Sequence, residues 1–228
     1  MKFPILLPNI FNHPFTYESD FNLDVGDYVV VPFGKSKITG VVWDEFEKKN
    51  NKNYKLKTIL KKLNVNPLKK STIKFLNWFA EYNIIPKGMA LKLVLTSNNA
   101  VEKLKKDSFK IFHNDVKTSS IKLSEEQKKS LKKMNIDNEK FRVHVLQGTT
   151  GSGKTIVYFS ALKDIINKGY QGLILLPEIG LTTQFEKKFL EFFGIMPAVW
   201  HSGISKKKKE IIWSGVANGE IKVVIGAR

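Results

Sequence analysis

Cysteine is absent from all 228 residues, which excludes disulfides and thiolate metal sites from this chain and fits a reducing cytoplasm. Arginine is almost absent as well: of 38 basic residues only Arg142 and Arg228 are arginine, so lysine carries the positive charge. An ammonium meets phosphate as a point charge, without the forked geometry that reads base edges. Nucleic acid held by such a chain is therefore bound largely without regard to sequence. No apolar run reaches membrane-spanning length, and the opening Met1-Lys2-Phe3-Pro4 leads into an apolar stretch broken by Pro8 and Asn9. Neither a membrane span nor a secretory signal is expected. Acidic residues are few: 21 Asp and Glu leave a net charge of +17 and a pI near 9.8. That excess favours a polyanionic partner, nucleic acid first, because neutralising phosphates releases counterions. A proteome-wide preference for Lys and Asn accounts for it equally well. The charge is spread as +7 over residues 1–95, +5 over 96–147 and +5 over 148–228, so no segment declares itself as the DNA site.

What the chain does contain is a complete G-x-x-x-x-G-K-[ST] phosphate-binding loop: Gly148, Thr149, Thr150, Gly151, Ser152, Gly153, Lys154 and Thr155. Polyphosphate must be met by several backbone N–H groups at once, and glycines let the backbone curl closely around it. The helix that follows points its positive end at the same anion. Lys154 would reach the β- and γ-phosphates of ATP, and the Thr155 hydroxyl would complete the coordination of Mg²⁺. Phe141–Leu146 alternates like a strand before the loop. Apolar residues at 156, 158, 159, 162, 165 and 166 recur at helical spacing after it.

Three regions emerge. Residues 1–96 read as a small β-plus-α domain. A strand at Tyr28–Phe33 forms a hairpin with one at Ile38–Trp43, and residues 72–84 place Phe75, Leu76, Trp78, Phe79 and Tyr82 on one helical face. Residues 97–122 are polar, Lys-rich and weakly periodic, as in a linker. Residues 123–228 alternate helix and strand: strands near 173–176, 196–200 and 221–225, helices over 182–193 and 205–217. Repeated βα units predict a parallel sheet with helices on its faces. Lys206–Lys209 reads as a solvated helix start.

Four blocks within this region, Gly148–Thr155, Leu175-Leu-Pro-Glu-Ile-Gly-Leu-Thr182, His201-Ser202-Gly203 and Val223-Val-Ile-Gly-Ala-Arg228, resemble in order and spacing the first helicase lobe of the PriA family of bacterial primosomal replication-restart helicases. The N-terminal blocks His13-Pro-Phe15-Thr-Tyr17, Val31-Pro-Phe-Gly34 with Gly40-Val-Val42, and Trp78–Gly88 resemble that family's 3′-end DNA-binding domain. The resemblance implies an α/β protein: a β-barrel or OB-like domain with helices, followed by a RecA-like parallel sheet. It implies that Phe15 stacks on a terminal base, that Lys57 sits near phosphate, and that Thr16 and Gly34 complete the pocket. Thr16 stands where the family often has an acid. Read as an isolated residue, Phe15 fits a core side chain better than a stacking platform, and only the resemblance brings the two readings level. On the helicase side the resemblance assigns DNA contacts to Glu178, Thr182, His201 and Arg228. Leu123-Ser-Glu-Glu-Gln127 resembles the helicase motif in which a Gln reads the adenine edge. The same Ser124-x-x-Gln127 spacing is a capping box that opens a helix, and the two readings are compatible.

Two departures shape the expectation. The family usually places a winged-helix domain between these regions, and residues 97–122 are too short for one. After the phosphate loop no hydrophobic strand ends in the Asp-Glu pair that holds Mg²⁺ and orients water; Leu173-Ile-Leu-Leu-Pro177-Glu178 carries Pro where Asp belongs. The expected protein is an N-terminal portion of an ATP-dependent 3′→5′ superfamily 2 DNA helicase of replication restart. It would bind forked or branched DNA, nascent 3′ ends, single strands and ATP-Mg²⁺ in the cytoplasm at the nucleoid, without hydrolysing ATP by itself. Zinc is expected only in a cysteine-rich region outside these residues, and primosome proteins and single-stranded-DNA-binding protein are the partners the resemblance implies. The rivals are a DNA-end-binding adaptor with a vestigial loop and a P-loop kinase-like transferase.

Overall fold

A computed structural model describes residues 1–46, 55–95, 97–102, 122–134, 141–177 and 182–227. The chain divides into two compact units, Met1–Lys106 and Asp107–Arg228. In the first, β1 (Lys2–Leu6), β2 (Phe15–Glu18), β3 (Tyr28–Phe33), β4 (Ser36–Val42), β5 (Lys57–Thr58) and β6 (Lys61–Lys62) form one sheet in the order β5-β2-β1-β4-β3-β6. The β-branched run of β3 pairs antiparallel with β4 from Tyr28↔Val41 to Phe33↔Ser36, so the predicted hairpin is present. Pro32 is tolerated because β6 pairs only with Val29 and Val30, leaving no neighbour on that side to ask for its missing N–H. The 57–62 stretch joins the sheet's two ends. Ile59 N–H donates to Glu18 O at 2.8 Å and Leu60 N–H to Val30 O at 2.9 Å, so consecutive residues tie β2 to β3 and the sheet curls onto itself. Inside lie Ile5, Leu7, Tyr17, Val29, Val31, Val42 and Ile59.

Helices α1 (Lys70–Tyr82) and α2 (Lys87–Leu91) follow. Of the residues that the spacing places on one face of α1, Leu76 is buried, with Ile73 and Ala80 beside it, while Phe75, Trp78 and Tyr82 are exposed. An aliphatic stripe of small cross-section lets the helix approach closely enough for Trp43 Nε1–H to donate to Asn77 Oδ1 at 3.2 Å. The outward rings satisfy one another instead, with Trp78 stacked on Tyr82 at 5.2 Å. A short helix α3 (Asn98–Glu102) lies in the segment that polarity alone marks as linker. It belongs to the first unit, because the buried Thr39 hydroxyl donates to Glu102 Oε1 at 2.5 Å.

The second unit holds α4 (Glu125–Met134), α5 (Lys154–Asn167), β7 (Gly172–Leu176), α6 (Thr182–Phe193), β8 (Ala198–Trp200), α7 (Lys206–Ala217) and β9 (Val223–Ala227). The three strands run parallel in the order β7-β9-β8. Val223 packs with Phe159, Leu162, Phe189, Phe192 and Phe193 of α5 and α6. Its neighbour Val224 packs with Ala198, Ile212 and Ile221 on the α7 side. Successive strand residues point to opposite faces, so helices pack on both sides of β9, as βα repetition predicts. The expected strand at Phe141–Leu146 is not formed. Its alternating Phe141, Val143 and Val145 are 92%, 77% and 89% exposed, because a strand needs a paired neighbour and none of the described strands offers one. Leu173 and Leu175 on the α7 side of β7 are exposed too.

Candidate nucleic-acid and nucleotide sites

In the first unit, the residues named from sequence for the 3′-end pocket lie on β2, on β5 beside it and in the β3–β4 turn. Phe15 opens β2 opposite Ile5, and Thr16 pairs with Pro4. Lys57 of β5 pairs with Tyr17, two residues along β2 from Phe15, and is exposed. Gly34 forms the turn between β3 and β4 at φ +59°, a left-handed value that favours glycine, and nothing lies within 4 Å of where a Cβ would project. Phe33, beside it, contacts Phe15 edge-on with ring centroids 5.3 Å apart. Phe11 and His13 complete the cluster at 5.2 and 5.0 Å from the Phe15 ring. Phe15 thus packs against the core and is only half-buried.

Phe11 and Phe33 were not singled out by sequence. Phe33 stood within the quoted Val31–Gly34 block, whereas Phe11 lies outside any periodic element and left no signal. Tyr17 beneath the cluster donates its hydroxyl to Pro32 O at 3.1 Å, and burial raises its pKa. That bond fixes β2 against β3 directly behind the aromatic group.

In the second unit, the phosphate loop runs into α5 as expected. Gly153 is the residue before the helix, at φ +80°, and Gly151 sits at φ +85°. The Lys154 ammonium folds back to donate to Gly148 O at 2.6 Å and Thr149 O at 2.7 Å. Loop carbonyls thereby hold the charge at the mouth of an exposed loop. Thr155 Oγ1 accepts from the Tyr158 hydroxyl at 3.4 Å. Burial raises the Tyr158 pKa, and that bond opposes the rise. Helix end, lysine and hydroxyl lie at consecutive positions where the loop enters α5, and these are the groups an ATP-Mg²⁺ ligand needs. Among the described residues there is no separate cluster of acids or histidines able to hold a metal.

Gln127 lies against this loop. Its backbone N–H donates to Ser124 Oγ at 3.2 Å and its Oε1 accepts from Ser124 N–H at 2.9 Å, the capping box in full. Its Nε2 also donates to Ser152 O at 3.4 Å. His201 Nδ1 accepts from Gly203 N–H at 3.1 Å, closing a turn after β8. Lys206–Lys208 are exposed at the start of α7, whose N-cap Ser205 accepts from Lys208 N–H at 3.3 Å. Thr182 is the first residue of α6, while Glu178 and Arg228 lie outside the described residues.

Comparison with known proteins agrees with both halves. Residues 4–96 match the family described as the 3′ DNA-binding domain of PriA, and residues 120–227 match the family described as the res subunit of type III restriction enzymes. The replication restart protein PriA of Rickettsia conorii is 38% identical over 228 residues, taking in 98% of this chain and 34% of that protein. PriA of Rickettsia typhi is 37% identical over 230 residues, with the same coverage. PriA of Bacillus subtilis is 36% identical over 114 residues, 49% of this chain and 14% of that protein. The chain spans about a third of the length of the Rickettsia relatives. An alignment of 228 positions that covers 98% of the chain leaves no room for a domain-sized insertion, so the Rickettsia conorii protein shares the short interval near residues 97–122. With a match to the 3′ DNA-binding domain of PriA followed by a helicase-like parallel-sheet region, the chain is similar along 98% of its length to a part of PriA proteins.

Proposed function

We propose that the chain is the DNA-end-reading and nucleotide-binding part of an ATP-dependent 3′→5′ DNA helicase of superfamily 2 that acts in replication restart at stalled or branched forks. The observation that carries this reading is the presence, in one chain, of an aromatic cluster around Phe15 with an exposed lysine on the strand paired to β2, and of a complete phosphate loop in the helicase-like region. Phe15 would supply the stacking face for a terminal base, with Phe11, His13 and Phe33 as its backing, and Lys57 would supply charge for the adjoining phosphate. Gly148–Thr155 would cradle the phosphates of ATP. Lys154 would exchange the two loop carbonyls for phosphate oxygens, and Thr155 would offer its hydroxyl to Mg²⁺. Glu178, Thr182, His201 and Arg228 would face DNA on the helicase side. Primosome proteins and single-stranded-DNA-binding protein are the proposed protein partners, and the nucleoid the proposed place of action. Because residues 148–228, from the phosphate loop onward, hold no hydrophobic strand that runs into an Asp-Glu pair, the chain is expected to bind nucleotide without unwinding DNA.

Fluorescence anisotropy with single strands ending in a 3′-hydroxyl or a 3′-phosphate tests the reading. The hydroxyl end should bind more tightly, and Phe15→Ala should remove that preference with a loss of about five- to a hundredfold, the range of one base–aromatic stack. Lys154→Ala should leave DNA-end binding in place and abolish ATP binding. Equal affinity for the two ends, or robust ATP hydrolysis by the 228 residues alone, would overturn it.

A further inference from the structure

The amide of Gln127 joins two elements that the sequence keeps far apart. Its oxygen is committed to the backbone of Ser124 at the start of α4, and its nitrogen to the carbonyl of Ser152 in the phosphate loop. A Cβ built on Gly153 would lie 2.3 Å from Gln127 Nε2, so the amide also rests directly on that glycine. The Ser152–Gly153 peptide immediately precedes α5. In a trans peptide the C=O and N–H point in opposite directions. Drawing Ser152 O toward Gln127 therefore turns the Gly153 N–H away from Gln127, leaving it for a ligand of the loop. Gly153 already sits at φ +80°, where the backbone has several ways to turn, and a fixed partner for the preceding carbonyl removes that freedom.

We propose that Gln127 is a positioning residue of the phosphate loop, which acts on affinity for polyphosphate whatever base is attached. The inference rests on the nucleotide-site reading above. It differs from adenine recognition in a measurable way, since a base reader discriminates among nucleotides and a loop strut does not.

The test is calorimetric titration of the intact chain with ATP, GTP and inorganic tripolyphosphate, each with magnesium. Gln127→Ala should weaken all three by the same factor, roughly three- to tenfold for one lost hydrogen bond, with the ATP-to-GTP ratio unchanged. Gln127→Glu separates the strut from the helix cap. Glutamate at this position keeps the capping box, so α4 is retained by circular dichroism, but it has no donor for Ser152 O. It should weaken tripolyphosphate at least as much as alanine does. Loss confined to ATP in Gln127→Ala, or wild-type affinity in Gln127→Glu, would overturn the proposal. A wild-type chain that binds none of the three ligands would remove the nucleotide-site reading and the inference with it.

Discussion

Single side chains in this protein carry charge and polarity into places where their protonation counts. Lys154 offers the clearest balance: its ammonium is held by two carbonyls at 2.6 and 2.7 Å, so the nucleotide binding proposed above would exchange one set of charge-assisted bonds for another. Tyr28 offers the clearest titration. Burial pushes its phenol from 10.0 up to about 12. A folded-state value above the unfolded one means its contribution to stability is complete below pH 10 and is lost as the pH rises to about 12. Tyr17, raised by the same cause, acts in the same direction. Alkaline unfolding of the first unit should therefore begin near pH 10. Tyr28→Phe, which keeps the ring and removes the proton, should flatten that limb in urea melts performed from pH 8 to 12, whereas an unchanged alkaline limb would show that Tyr28 does not govern it.

Among the elements, α1 shows how composition misleads when burial is decided by fit. Its aromatic stripe reads as the core side by hydrophobicity alone, yet the sheet accepts Ile73, Leu76 and Ala80. Leu76→Ala should cost about 2–5 kcal/mol, the range for a deleted core leucine, while Trp78→Ala should cost under about 1 kcal/mol. Denaturation followed at the Trp43 indole proton, which reports on the α1 contact through Asn77, separates the two. Elements with a local signature were legible in the sequence: the β3–β4 hairpin from its β-branched runs, the loop into α5 from its glycines, α6 from its periodicity. What sequence could not show depends on partners remote in the chain. Residues 141–146 alternate like a strand but have no neighbour to pair with among the described strands. Phe11 meets Phe15, four residues on, through a stretch with no periodic pattern, and Phe33 reaches both only because the β3–β4 hairpin carries it there. The bond from Gln127 to Ser152 likewise spans 25 residues of sequence.

At the scale of the whole molecule, positive charge is shared almost evenly between the two halves and carried by lysine. Binding to single strands should then depend strongly on salt and weakly on base composition. A site neutralising about three phosphates should lose roughly twentyfold in affinity between about 50 and 200 mM salt. Anisotropy titrations on strands of differing sequence measure both quantities, and a salt-independent or base-selective response would contradict the lysine argument. Where the charge sits also matters mechanically. The stretch carrying Lys57 is the one whose consecutive backbone N–H groups latch β2 to β3. A DNA end gripping that lysine would pull on the fastening of the curled sheet, so ligand and closure share a single seam, and the grip is only as firm as the clasp beneath it.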